Sequence, residues 1–135
     1  MLTGKINIAA GFLFLTFFML YGFLLIYLRD FAPDKAQWIA DYGVGAHFES
    51  RLAHVHGNLF ALLNIAVGLV LLRLPASASR AWISGLALAG MLMPLGILAE
   101  LVLGVPPVIV LAGGTSMVVA MGWLAVASWR MDVAV

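Results

Sequence analysis

The sequence predicts an all-α integral membrane protein, a four-helix bundle occupying a single domain over residues 1–135. Three observations carry that expectation. Of the 135 residues, 64% are hydrophobic and only 10% charged, against roughly 25% charged in an ordinary soluble domain. The charges act as punctuation, because residues 6–28, 52–72, 81–99 and 101–129 contain none. Each stretch is long enough to cross a membrane, which takes about 20 apolar residues for a ~30 Å hydrocarbon core. In lipid every backbone N–H must be satisfied within its own segment, so spans of this kind are helices.

The first helix is expected near 5–28. Lys5 precedes it as in a secretory leader, but the apolar run exceeds the 7–15 residues typical of a leader, and no Ala-x-Ala cleavage pattern follows. The span is therefore read as retained. Residues 29–46 form the long loop, with Pro33, Asp34, Lys35, Asp41 and a Gly43-Val44-Gly45 break. Trp38 and Tyr42 there read as interfacial aromatics. The second helix is placed near 47–73. It is followed by the polar hairpin 75–79, flanked by Arg73 and Arg80. The third is placed near 80–103, where Pro94 should kink it by freeing the carbonyl of Gly90. A tight turn, Gly104-Val105-Pro106-Pro107, leads into the fourth, near 107–130. Small residues four apart let helix backbones approach closely in lipid. Such rows are Gly57 and Ala61, Gly85 and Ala89, and Ala112, Ser116 and Ala120.

Composition also excludes functions. The absence of cysteine removes disulfides, thiolate metal sites and cysteine nucleophiles. A net charge of +1 without a basic cluster argues against nucleic acid. Lys5, Arg73, Arg80 and Arg130 fall on one side of the membrane, and Arg29, Lys35 and Arg51 on the other. That asymmetry favours both termini in the cytoplasm, as for a bacterial inner-membrane protein.

Polar residues inside a span are costly, so each is informative. The second helix opens with Glu49, Arg51, His54, His56 and Asn58, and Asn64 lies deeper. Antiparallel packing brings Glu100, near the end of the third helix, level with that cluster. Arg51 and Glu100 are expected to pair there, with Tyr27 and Tyr21 of the first helix nearby. Successive residues turn by about 100°, so His47, Arg51, His54 and Asn58 share one face. His56 points away from it, so the two histidines cannot ligate one ion from a straight helix. One imidazole at the edge of a bundle suffices for haem iron. Gly57 beside His56 would let a flat ring approach the backbone, and Arg51 and Lys35 could meet its propionates. The cofactor candidates are thus His54 as metal ligand, with Arg51, His56 and Gly57 around the ring. Glu100 and Asn58 are the candidate catalytic groups. The competing structural reading makes the histidines and Asn64 interhelical glue. A proton pathway through Glu100 and the histidines, or an accessory subunit of a larger complex, are the other functional readings.

A charge-poor first helix containing Ala9-Ala10-Gly11-Phe12-Leu13 is followed by a single longer loop, the Ala53-His54 pair and Ile65-Ala66-Val67 of the second helix, and the fourth-helix stretch Ala120-Met121-Gly122-Trp123-Leu124-Ala125-Val126. In this order of features the chain resembles, over most of its length, the styrene oxide isomerase family of small membrane proteins. The resemblance implies a homotrimer of four-helix protomers holding haem b between subunits, with His54 as axial ligand. It further implies that ferric haem acts as a Lewis acid on a small apolar epoxide, giving an aldehyde without net redox change. The chain departs from the family where the chemistry lies. The family's pocket asparagine falls on Phe60, its pocket tyrosine near Ala99, and His56 has no counterpart.

Overall fold

The computed structural model describes residues 4–131. The first span is α1 (Gly4–Asp30), and the loop after it contains a short helix, α2 (Lys35–Ala40). The second span is α3 (Gly45–Leu71). The third is divided into α4 (Ala78–Gly90) and α5 (Leu92–Leu103), and the fourth is α6 (Val108–Trp129). These helices supply four segments long and apolar enough to cross a membrane. The protein is an all-α integral membrane protein with the bilayer as its surroundings, as the charge-free stretches predict.

The four spans are not equivalent. In their most apolar windows α3 and the third span have 39% and 33% of residues buried, but α1 and α6 only 11% and 17%. The two central spans therefore form the core, and α1 and α6 flank it with wide lipid-facing surfaces. One apolar cluster joins α3, α4 and α6 through Phe60, Val67, Leu71, Ile83, Ala87 and Met117.

The α1–α3 contact is made backbone to backbone through small residues. A Cβ on Gly4 would lie 2.2 Å from the carbonyl oxygen of Gly68, and one on Gly11 2.7 Å from that of Ala61. Phe18, fully buried, lies flat over Gly57. A polar knot pins the opposite half of this interface. Asn7 donates to Asn64 Oδ1 at 2.9 Å and to the Ser84 carbonyl at 3.2 Å, and the Ser84 hydroxyl donates back to Asn7 Oδ1 at 2.5 Å. Asn64 donates in turn to the carbonyls of Phe60 and Ala87. All three side chains are fully buried.

The third span breaks at Met91, where the helical ladder tightens to a bond from Met91 N–H to the Leu88 carbonyl. Pro94 is the third residue of α5, so its missing N–H falls in a first turn, where it costs no helical bond. Gly104 ends α5 in the left-handed conformation (φ 64°) that glycine adopts without strain. Of the row expected on the fourth helix Ala120 is buried, but Ala112 and Ser116 give way to their neighbours Gly113 and Met117. Ser116 instead turns back to the carbonyl of Ala112 at 2.8 Å.

Candidate functional site

The polar stripe on α3 opens into one groove. His47, Arg51, His54 and Asn58 recur at three- and four-residue intervals and line a cavity of about 720 Å³ between α3 and the second half of α1. Such a volume lies in the usual range for small-molecule and cofactor sites. Leu15, Met19, Phe23 and Ile26 of α1 supply its apolar wall, and Arg29 stands at the outer rim.

Helix α2 and the residues after it roof the groove. Trp38 stacks on His47 with ring centroids 4.3 Å apart and planes 16° from parallel. His47 Nδ1 also meets the Trp38 carbonyl. Arg51 lies 3.5 Å from the centroid of the Tyr42 ring, a cation–π distance. Arg51 also donates to the Tyr42 carbonyl at 3.0 Å and to its hydroxyl at 2.6 Å. Gly45, at φ +55°, starts α3 immediately beneath this roof. The loop aromatics expected at the lipid interface therefore cap the site.

The expected Arg51–Glu100 pair does not form. Among the described residues the salt bridge found joins Arg29 to its neighbour Asp30, at 2.7 Å. Tyr42 satisfies Arg51, while Glu100 sits in the last turn of α5 with a buried Oε1 that has no partner among the described residues. Glu100 does not line the groove, and neither do His56 and Gly57. The flat ring against Gly57 is that of Phe18, from the same chain. Lys35 Nζ donates to the Asp30 carbonyl at 3.2 Å, on the outer surface.

The two histidines differ in state. His54 Nε2 lies 3.1 Å from Asn58 Nδ2, which also donates to the His54 carbonyl at 3.0 Å. The same nitrogen presses on α1, since a Cβ on Gly22 would stand 2.7 Å from it. Asn58 keeps a buried Oδ1 without a partner among the described residues. His56 turns away, as the helical angles require, and its Nδ1 lies 2.8 Å from the Leu52 carbonyl. Because a carbonyl only accepts, Nδ1 carries the proton and Nε2 is the acceptor nitrogen.

No protein-family model matches this chain, nor does a curated protein or a solved structure. The site must therefore be judged on its own chemistry. Among the described residues no three His, Cys, Asp or Glu side chains gather into a metal site, so a bare ion has too few ligands here. A haem needs less from the protein: one imidazole, an apolar slot and donors for two carboxylates. The groove places His54, the α1 wall, Arg51 and Arg29 together, and a haem there would displace the contacts of His54 Nε2 with Asn58, of Arg51 with Tyr42 and of Arg29 with Asp30. The unpartnered Asn58 Oδ1 beside His54 is the kind of orphaned group that a ligand completes. The signal in the sequence for Asn7 was its place as the one amide in an otherwise apolar first span. Nothing in local sequence marks Tyr42 as the partner of Arg51.

Proposed function

We propose that this protein is a haem b-binding, homo-oligomeric membrane protein with His54 as the axial ligand. The observation that carries the reading is that His54, Asn58 and Arg51 open onto one apolar groove of about 720 Å³ on the lipid-facing flank. A groove on that flank is open to a neighbouring copy, in keeping with the trimer that the family resemblance implies. Arg51 and Arg29 stand where propionates would reach the membrane surface, with Trp38 and Tyr42 partly covering that end of the groove. Bound there, ferric haem would supply a Lewis acid for an epoxide oxygen, the activity that the resemblance implies. In that chemistry the Asn58 Oδ1, which only accepts hydrogen bonds, would stand opposite the epoxide carbon that turns electron-poor as the ring opens, not the epoxide oxygen. Glu100 lies outside the groove.

One observation favours a second ligand. His56 has Nδ1 fixed on a backbone carbonyl, the usual arrangement for an imidazole that offers Nε2 to a metal. The decisive measurement is the absorption spectrum of detergent-purified protein reconstituted with haemin, beside His54→Ala and His56→Ala. The expected result is a Soret band in the wild type and in His56→Ala that is lost in His54→Ala. Loss in His56→Ala alone would move the ligand to the other face of α3. A wild type that takes up no haem overturns the reading and leaves an accessory subunit whose histidines join helices.

A further inference from the structure

A second cavity, of about 470 Å³, lies at the opposite end of the spans. Three of the chain's seven cationic side chains, Arg73, Arg80 and Arg130, line it, together with Ser77, Ser79 and Trp123. Among the described residues none that lines it is acidic. Arginines flanking membrane spans ordinarily extend into water. Arg80 does not. One of its terminal nitrogens donates to the Leu74 carbonyl at 3.3 Å, and its Nε is buried with no partner among the described residues. A buried donor left unpaired is destabilising until an acceptor reaches it. The hairpin that carries Arg73 also places Ser77 as the cap of α4, so the positive end of that helix faces the same space. Beneath the charges the walls turn apolar, with Ile83 on one side and Trp123 and Val126 on the other. The site thus combines cations at the membrane surface with an apolar floor between α4 and α6.

We propose that this cavity binds the phosphodiester headgroup of an anionic phospholipid, with Arg80 as the central donor and an acyl chain along Trp123. A phosphate oxygen would satisfy Arg80 Nε, and Arg73 and Arg130 would neutralise the remaining charge. A basic cavity between spans at the membrane surface is a recurrent lipid-recognition device. The site is remote from the histidine groove and does not depend on haem.

The test is lipid binding by native mass spectrometry of the full chain in detergent, comparing short-chain phosphatidylglycerol with phosphatidylcholine and with inorganic phosphate. Phosphatidylglycerol should be retained preferentially. Each arginine replaced by glutamine should lower its affinity by about fivefold, from the usual worth of one cation near an anionic surface. Arg73 and Arg130 are exposed, so the double variant Arg73→Gln/Arg130→Gln should fold and still report the loss if Arg80→Gln does not fold. Equal binding of the two lipids overturns the proposal, as does a preference unchanged in the double variant. Displacement of phosphatidylglycerol by inorganic phosphate at comparable concentration would overturn the lipid as source and leave a site for the free anion.

Discussion

Arg51 shows how one side chain decides what a site can do. Helical register places it level with Glu100, yet its guanidinium is held by the ring, carbonyl and hydroxyl of Tyr42. A pairing between spans has become a pairing between a span and its roof, and Glu100 is left with an oxygen unpaired among the described residues. At the same scale, Phe18 is the residue most committed to packing, being fully buried over Gly57. Phe18→Ala should destabilise the protein by about 3–5 kcal/mol, the usual cost of removing a buried aromatic ring. Thermal unfolding in detergent, followed by loss of helical signal, measures it. A change below about 1 kcal/mol would mean that α1 settles onto Gly57 without the ring. Gly22 is the corresponding test point for the groove. A methyl there meets His54 Nε2, so Gly22→Ala should displace the imidazole and shift or abolish any Soret band without unfolding α1.

The helices differ in how much of each was legible. The charge gaps located all four spans, because burying a charge in lipid is expensive whatever the fold. The break in the third span was readable from Pro94, since proline cannot sit within a helix unless a turn begins there. Helix α2 was not readable. Its six residues are too few to nucleate in isolation, and Trp38 is held by stacking on His47, nine residues on. The buried face of α6 was read correctly at Ala120 but one position off at Ala112 and Ser116, because its row of small residues gives two neighbouring faces with similar packing potential. Glycines on α6 make this testable. A Cβ on Gly113 would stand 2.2 Å from the Met93 backbone nitrogen, whereas Gly122 has open space around it. Gly113→Ala should force α5 and α6 apart at a cost of about 1–3 kcal/mol, typical of overpacking. Gly122→Ala should be neutral or stabilising by up to about 1 kcal/mol through helix propensity. Equal effects at the two sites in a thermal scan would contradict the α5–α6 packing.

At the scale of the whole molecule, the protein has two ends of different chemistry joined by a narrow core. One end carries the roofed histidine groove, and the other carries the arginine cavity. The stripe His47, Arg51, His54, Asn58 was legible because three- and four-residue spacing fixes a face. Its partners were not, because azimuthal packing between helices is a long-range property that no local pattern encodes. Between the two ends, the Asn7–Asn64–Ser84 knot links three spans. A double-mutant cycle of Asn7→Ala and Asn64→Ala should give a coupling near the membrane average of about 0.6 kcal/mol. Strict additivity would show that each amide is satisfied independently. The knot has a further consequence for biosynthesis. Ser84 follows Asn7 by 77 residues, so at about 5–20 residues per second the ribosome delivers the partner roughly 4–15 s later. During that interval the amide of the first span has at most one of its native partners, Asn64, which follows it by 57 residues, and the nascent chain is expected to remain a client of the insertion machinery until the third span emerges. Crosslinking of stalled chains should show Asn7 beside the translocon in chains truncated before Ser84, and released from it in longer ones.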